Sequence, residues 1–89
     1  MALFQLGQVV ATPAALSFCE ANNITPLTLV RRHVGGDYGD IDLADVQANV
    51  QAIQHNLRVF SSYRFGEQKI YVITEADRSS TCVLCAEDY

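Results

Sequence analysis

The sequence predicts a single α+β domain over residues 1–89, in which three short helices precede a three-stranded antiparallel β-meander and cover it as a second layer. Three observations lead there: two Thr-Pro pairs that each open a helical segment, an apolar stripe at helical spacing from Leu43 to Leu57, and a switch to alternating polarity after Asn56.

Leu3 to Val10 reads as a short strand or an extended lead-in, interrupted at Gly7. Thr12-Pro13 then supplies an N-cap with proline at the first helical position, and Ala15, Phe18, Cys19 and Asn22 share one face until Asn22 and Asn23 end the helix. Thr25-Pro26 repeats the signal. Leu27, Val30 and Val34, with Leu29 and His33, keep helical spacing until Gly35 and Gly36 stop it. A glycine-dense loop runs to Asp40, after which Asp42 is a good N-cap with Asp45 in the first turn. In the third helix Leu43, Val46, Val50, Ile53 and Leu57 are expected to face the core, with Gln47, Asn49, Gln51 and Gln54 outside.

Beyond Asn56, Leu57, Val59, Ser61 and Tyr63 fall on one side of a strand and Arg58, Phe60, Ser62 and Arg64 on the other. Phe65-Gly66-Glu67 turns the chain into Lys69 to Thr74, and a polar bend through Glu75 to Ser79 leads into Thr81 to Ala86. Three strands alone bury too little, so the helices must supply the opposing apolar layer.

Eighty-nine residues hold one core. A net charge of -4 and a pI near 4.8 argue against a nucleic-acid binder that works by broad phosphate neutralisation, although a local basic patch stays open. Lys69 is the single lysine; the other cations are Arg31, Arg32, Arg58, Arg64 and Arg78, whose planar forks suit carboxylates and phosphates. No stretch has the apolar length of a membrane span and no leader pattern is seen, so a cytoplasmic location is expected. Cys19, Cys82 and Cys85 form an odd set, which reads as reduced thiols.

Asp37, Asp40, Asp42 and Asp45 lack the alternating ligands and closing glutamate of a calcium loop; turn formation and capping account for them, and no metal or cofactor is expected. Cys82 and Cys85 have CxxC spacing, but residues three apart in a strand point to opposite faces. His33 either complements the end of the second helix or serves as an acid/base, and His55 has the same helix-end explanation. The stretch Thr74 to Thr81 carries more polar side chains than a tight turn needs. Either Asp77 caps the turn and Arg78 pairs with Glu75 or a loop aspartate, or Arg78, Arg58, Ser62, Tyr63 and His33 line a shallow cleft for an anion or a protein. The expected site thus has His33 and Tyr63 as catalytic candidates, and Asp37, Asp40, Arg58, Ser62, Tyr63, Thr74, Glu75, Asp77, Arg78 and Thr81 as binding candidates.

His33 to Asp40 (HVGGDYGD), Ser62-Tyr63, Lys69 to Thr81 (KIYVITEADRSST) and Glu87-Asp88-Tyr89 resemble a family of small proteins of plasmids and other mobile DNA. Its members are called plasmid-related proteins, and some are labelled type I restriction endonuclease subunit M. That label cannot be literal in 89 residues, which hold neither a methyltransferase fold nor its cofactor motif. Tyr38 and Tyr71 stand where the family pattern has tryptophan, and Cys85-Ala86 where it has leucine then proline. The resemblance implies a genetic setting rather than a chemistry.

Three functions follow as expectations. The first is a non-catalytic interaction protein of a mobile element, in an accessory or anti-defence role, that binds a protein partner; homodimerisation through an edge strand of the meander is a related form. The second is a small RNase-like or phosphotransfer enzyme, with His33 as acid/base, Arg58 or Arg78 on the phosphate and Tyr63 or Thr81 completing the site. The third is a structural homo-oligomer whose polar turn serves only its own fold. They diverge on whether the His33–Asp40 segment and the 74–81 bend meet in one polar cleft.

Overall fold

Four strands, rather than three, make the sheet of this protein, for which a computed structural model describes residues 2–89. The chain runs through β1 (Gln8–Ala11), α1 (Pro13–Ala21), α2 (Pro26–Val34), α3 (Leu43–His55), β2 (Val59–Phe65), β3 (Gln68–Thr74) and β4 (Ser80–Cys85), then a 3-10 turn at Ala86–Asp88. The two antiparallel hairpins match the expected meander, with Val59 opposite Thr74 and Ile70 opposite Cys85. The purely antiparallel, three-stranded sheet is corrected, because the lead-in pairs parallel to β4, Gln8 opposite Ser80, to give the order β1-β4-β3-β2. Gly7 starts that strand at a φ of 63°, and a Cβ there would lie 2.3 Å from the Arg78 carbonyl oxygen. Only glycine lets the chain pass the 74–81 bend so closely.

Each helix begins as its cap dictates. The Thr12 and Thr25 hydroxyls accept from the N–H groups of Ala15 and Thr28, and the Asp42 carboxylate accepts from the Asp45 N–H. Buried residues of all three helices pack on one sheet face. Ala15, Cys19, Leu29 and Val30 meet Tyr63, Ile70, Val72, Val83 and Cys85, while Ala52 meets Val59 and Tyr38. The opposite face carries Phe60, Tyr71, Cys82 and Leu84, each half-buried.

The expected stripe of α3 is also corrected. Leu43, Val50 and Leu57 are 71%, 47% and 54% exposed, whereas Asn49 and Ala52 are buried and Val46 and Ile53 half-buried. The helix is turned so that Asn49 reaches the outer edge of β2, where its amide bonds both main-chain groups of Phe60.

The two sheet edges are treated differently. Along β2, Phe60 is met by Asn49, the Ser62 N–H donates to the Tyr38 carbonyl, the Ser62 carbonyl accepts from the Asp40 N–H, and the Arg64 N–H donates to the Asp40 carboxylate. Among the described residues nothing comparable covers β1. The N–H groups of Gln8 and Thr12 donate to the carbonyls of Ser79, just before β4, and Val83 within it, so the intervening Val9 and Ala11 direct their main-chain groups away from the sheet. Both edges of the meander itself are occupied, one by β1 and the other by Asn49 and the 38–40 segment. No helix of the described residues is long and apolar enough to cross a membrane.

Candidate functional site

His33 leaves the last turn of α2 pointing into the core, fully buried between Ser61 of β2 and Thr74 of β3. Its Nδ1 lies 2.5 Å from the Ser61 hydroxyl and its Nε2 2.9 Å from the Thr74 hydroxyl. The direction of this chain follows from its far end. Thr81 donates its only hydroxyl proton to the Leu6 carbonyl, so it accepts from Thr74, which in turn accepts from His33 Nε2–H. Nδ1 is then left to accept from Ser61. The ring is therefore neutral in a single tautomer, and burial pushes its pKa down to about 4. His33 is corrected as a catalytic candidate: no face of it reaches solvent and both nitrogens are engaged. Thr74 and Thr81, also fully buried, belong to the same internal network rather than to a binding surface.

Arg78 sits at a left-handed φ of 60° within the polar bend. One guanidinium nitrogen donates to the carbonyls of Leu57, Glu75 and Ala76, and another to that of Ala52. These include carbonyls at the C-terminus of α3, where a cation also complements the helix dipole. Of the two earlier readings of the bend, the internal one holds in modified form. Asp77 caps the turn by accepting from the Ser79 N–H, but Arg78 binds main-chain carbonyls and not a carboxylate.

The glycine-aspartate loop is likewise spent on the fold. Asp37 pairs with Arg32 at 2.7 Å and accepts from the Gly39 N–H; the Arg32 contact holds its carboxyl below the usual carboxylate range. The Tyr63 hydroxyl donates to the Asp37 carbonyl while the Arg32 guanidinium lies over the Tyr63 ring at 4.5 Å. Burial pushes the Tyr63 phenol up to about 12, which leaves it no ready proton to exchange. Gly39 bridges to Ser62 at a φ of 77°, so tightly that a Cβ would lie 2.3 Å from the Ser62 carbonyl oxygen. Ser62, whose main chain this loop pairs with, is buried.

The single polar cleft is thus corrected to three internal networks, around His33, around Arg78 and in the glycine-aspartate loop. The Phe4 ring lies between the first two, edge-on to His33 at 5.2 Å and under the Arg78 guanidinium at 5.7 Å. Among the described residues no buried side-chain polar atom lacks a hydrogen-bond partner, and no cluster of His, Cys, Asp or Glu is arranged to hold a metal. A cavity of about 200 Å³ opens between Phe18, Lys69, Cys85 and Glu87, and none of the expected site residues lines it.

Arg58 and Glu75 are placed elsewhere, on the sheet face away from the helices. Arg58 approaches Glu75 and the Tyr89 hydroxyl, each at 3.4 Å. Tyr89 lies edge-on to Tyr71 at 5.7 Å, and Tyr71 to Phe60 at 4.8 Å, which makes an aromatic row across β2 and β3. Arg64 and Lys69 lie opposite each other at one end of the same face, and Arg58 stands at the other. Tyr89 is 68% exposed. Sequence reasoning missed this row because Phe60 and Tyr71 were two aromatics among alternating residues; the signal available was that both fall on the polar phase of their strands. Asn49, Phe4 and the Leu6 carbonyl were missed as well. No family model, curated protein or solved structure matches the chain.

Proposed function

We propose that this chain is a non-catalytic interaction protein that binds a protein partner through the sheet face its helices leave uncovered. The observation that carries this is the row Phe60, Tyr71 and Tyr89, bracketed by Arg58, Arg64 and Lys69, on a molecule whose other polar candidates are consumed internally. Aromatic and arginine side chains are the usual anchors of protein interfaces. Half of the six Lys and Arg residues stand on this face of a chain with net charge -4, so the partner suited to it presents an apolar anchor among carboxylates. The exposed Arg58–Glu75 pair at 3.4 Å contributes little to stability and can exchange for such a partner. The setting proposed is a mobile genetic element, with binding in an accessory or anti-defence role; its support is the resemblance carried by His33 to Asp40, Lys69 to Thr81 and Glu87 to Tyr89.

The alternative, a small RNase-like or phosphotransfer enzyme, needs His33 at a surface, and the His33 ring is fully enclosed. Quantitative capture from host lysate tests the binding reading, with the native chain compared with Tyr71→Ser and with the double variant Arg64→Glu, Lys69→Glu. The expected result is an acidic protein retained by the native chain and weakened about tenfold or more by each variant. Equal recovery by all three folded proteins, or none above background, would overturn it.

A further inference from the structure

We infer that two copies of this chain join edge to edge through β1, to make one continuous sheet of twice four strands. Pairing through β1 involves none of Phe60, Tyr71 or Tyr89, and β1 lies at the sheet edge opposite β2. Proteins close their sheet edges with charges, prolines, bulges or covering groups, because an uncovered edge accepts another strand. Here the β2 edge is closed at Phe60, Ser62 and Arg64 in turn, by Asn49, Tyr38 and Asp40. Beyond its shortness, itself a partial safeguard, the β1 edge, Gln-Val-Val-Ala, has none of these devices. Val9 and Val10 are 42% and 41% exposed, and the outward main-chain groups of Val9 and Ala11 have no neighbouring strand.

Charge selects a second copy as the occupant. Every Asp, Glu, Lys and Arg of the chain lies at Glu20 or later, so β1 and its flanks form a segment without charged side chains in a protein of net charge -4. Two copies repel wherever their acidic surfaces face each other, and this segment lets them meet without opposing like charges. The geometry is self-complementary. An antiparallel twofold pairing centred on Val10 sets the Val9 groups of each copy against the Ala11 groups of the other, so that all the outward N–H and C=O groups of both strands are satisfied. Val10 then meets the second copy's Val10 at the axis as a directly opposed, non-hydrogen-bonded pair. Because Val10 is in register with Cys82, that contact lies on the same side of the sheet as Tyr71 and Leu84, and the two uncovered faces become one.

Sedimentation from about 10 μM to about 1 mM, with amide exchange at both ends of the range, tests this. The expected result is a rise from the 9.8 kDa monomer towards twice that mass, with the Val9 and Ala11 amides protected only at high concentration. Val9→Pro removes an outward N–H without touching the β1–β4 ladder, and Val10→Lys sets two cations against each other; each should weaken association about tenfold or more. Should Val9→Pro fail to fold, Val10→Cys in a Cys82→Ala background gives the independent answer, since it should oxidise to a covalent dimer. A native chain monomeric throughout, with Val9 and Ala11 unprotected, would overturn the proposal. So would association that both folded variants leave unchanged, or failure of the cysteine variant to cross-link.

Discussion

The side-chain amide of Asn49 bonds both main-chain groups of Phe60, donating to the carbonyl at 2.7 Å and accepting from the N–H at 3.0 Å. A helical side chain thereby does for β2 what another strand would do, and α3 is oriented by that pairing rather than by its leucines. The exposed Leu43, Val50 and Leu57 are the counterpart of the buried Asn49.

Asn49→Ala leaves two strand-edge groups without their partner and should lower stability by about 2 to 3 kcal/mol. Asn49→Asp keeps the acceptor and loses the donor, so it should cost a similar amount. Chemical denaturation measures both, and amide exchange at Phe60 should accelerate in Asn49→Ala well before global unfolding.

The His33 pKa near 4 makes stability depend on pH in a defined direction. The unfolded chain takes up a proton on this ring near 6.5 and the folded chain does not, so the contribution is whole above pH 6.5, falls as the pH drops, and is gone below about 4. Its full span is about 3 kcal/mol. The difference between native and His33→Gln stability curves should isolate this slope from that of the carboxylates, and ring NMR should show one neutral tautomer protonated at Nε2 throughout the neutral range.

Gly39→Ala should cost about 2 to 4 kcal/mol, because the added methyl meets the Ser62 carbonyl oxygen at 2.3 Å and the Tyr63 ring at 2.6 Å, at a φ of 77° that alanine resists. Loss of the 38–40 segment from the β2 edge should appear as faster exchange at the Ser62 amide.

Arg78→Ala removes a guanidinium that holds four carbonyls and should destabilise by about 1 to 3 kcal/mol. Arg78→Lys keeps the charge but not the fork, and should recover less than half of the loss in thermal unfolding. Capture of a partner by folded Arg78→Ala should be unchanged, since the side chain faces α3 rather than the aromatic row.

Helix starts were legible because Thr12-Pro13, Thr25-Pro26 and Asp42 are local signals, and a cap satisfies its own neighbours wherever the rest of the chain goes. The hairpins were legible for the same local reason. β1 was obscure because it is only four residues long and its partner is β4, near the other end of the chain. The inward face of α3 was misread because its period was scored by hydrophobicity, and a buried amide with two main-chain partners does not register on that scale. The separation of the polar candidates was equally invisible: spacing cannot reveal that the Leu6 carbonyl accepts from Thr81, or that Phe4 lies between His33 and Arg78.

The parallel pairing of β1 with β4 has a kinetic consequence. Gln8 and its neighbours leave the ribosome long before Ser80 exists, so the strand made first waits longest for its partner. Contacts so distant along the chain recover their loop-closure entropy late, and β1 should therefore dock after the hairpins have formed. During synthesis the apolar, charge-free lead-in has no ladder to join, and this interval is when the nascent chain is most open to aggregation.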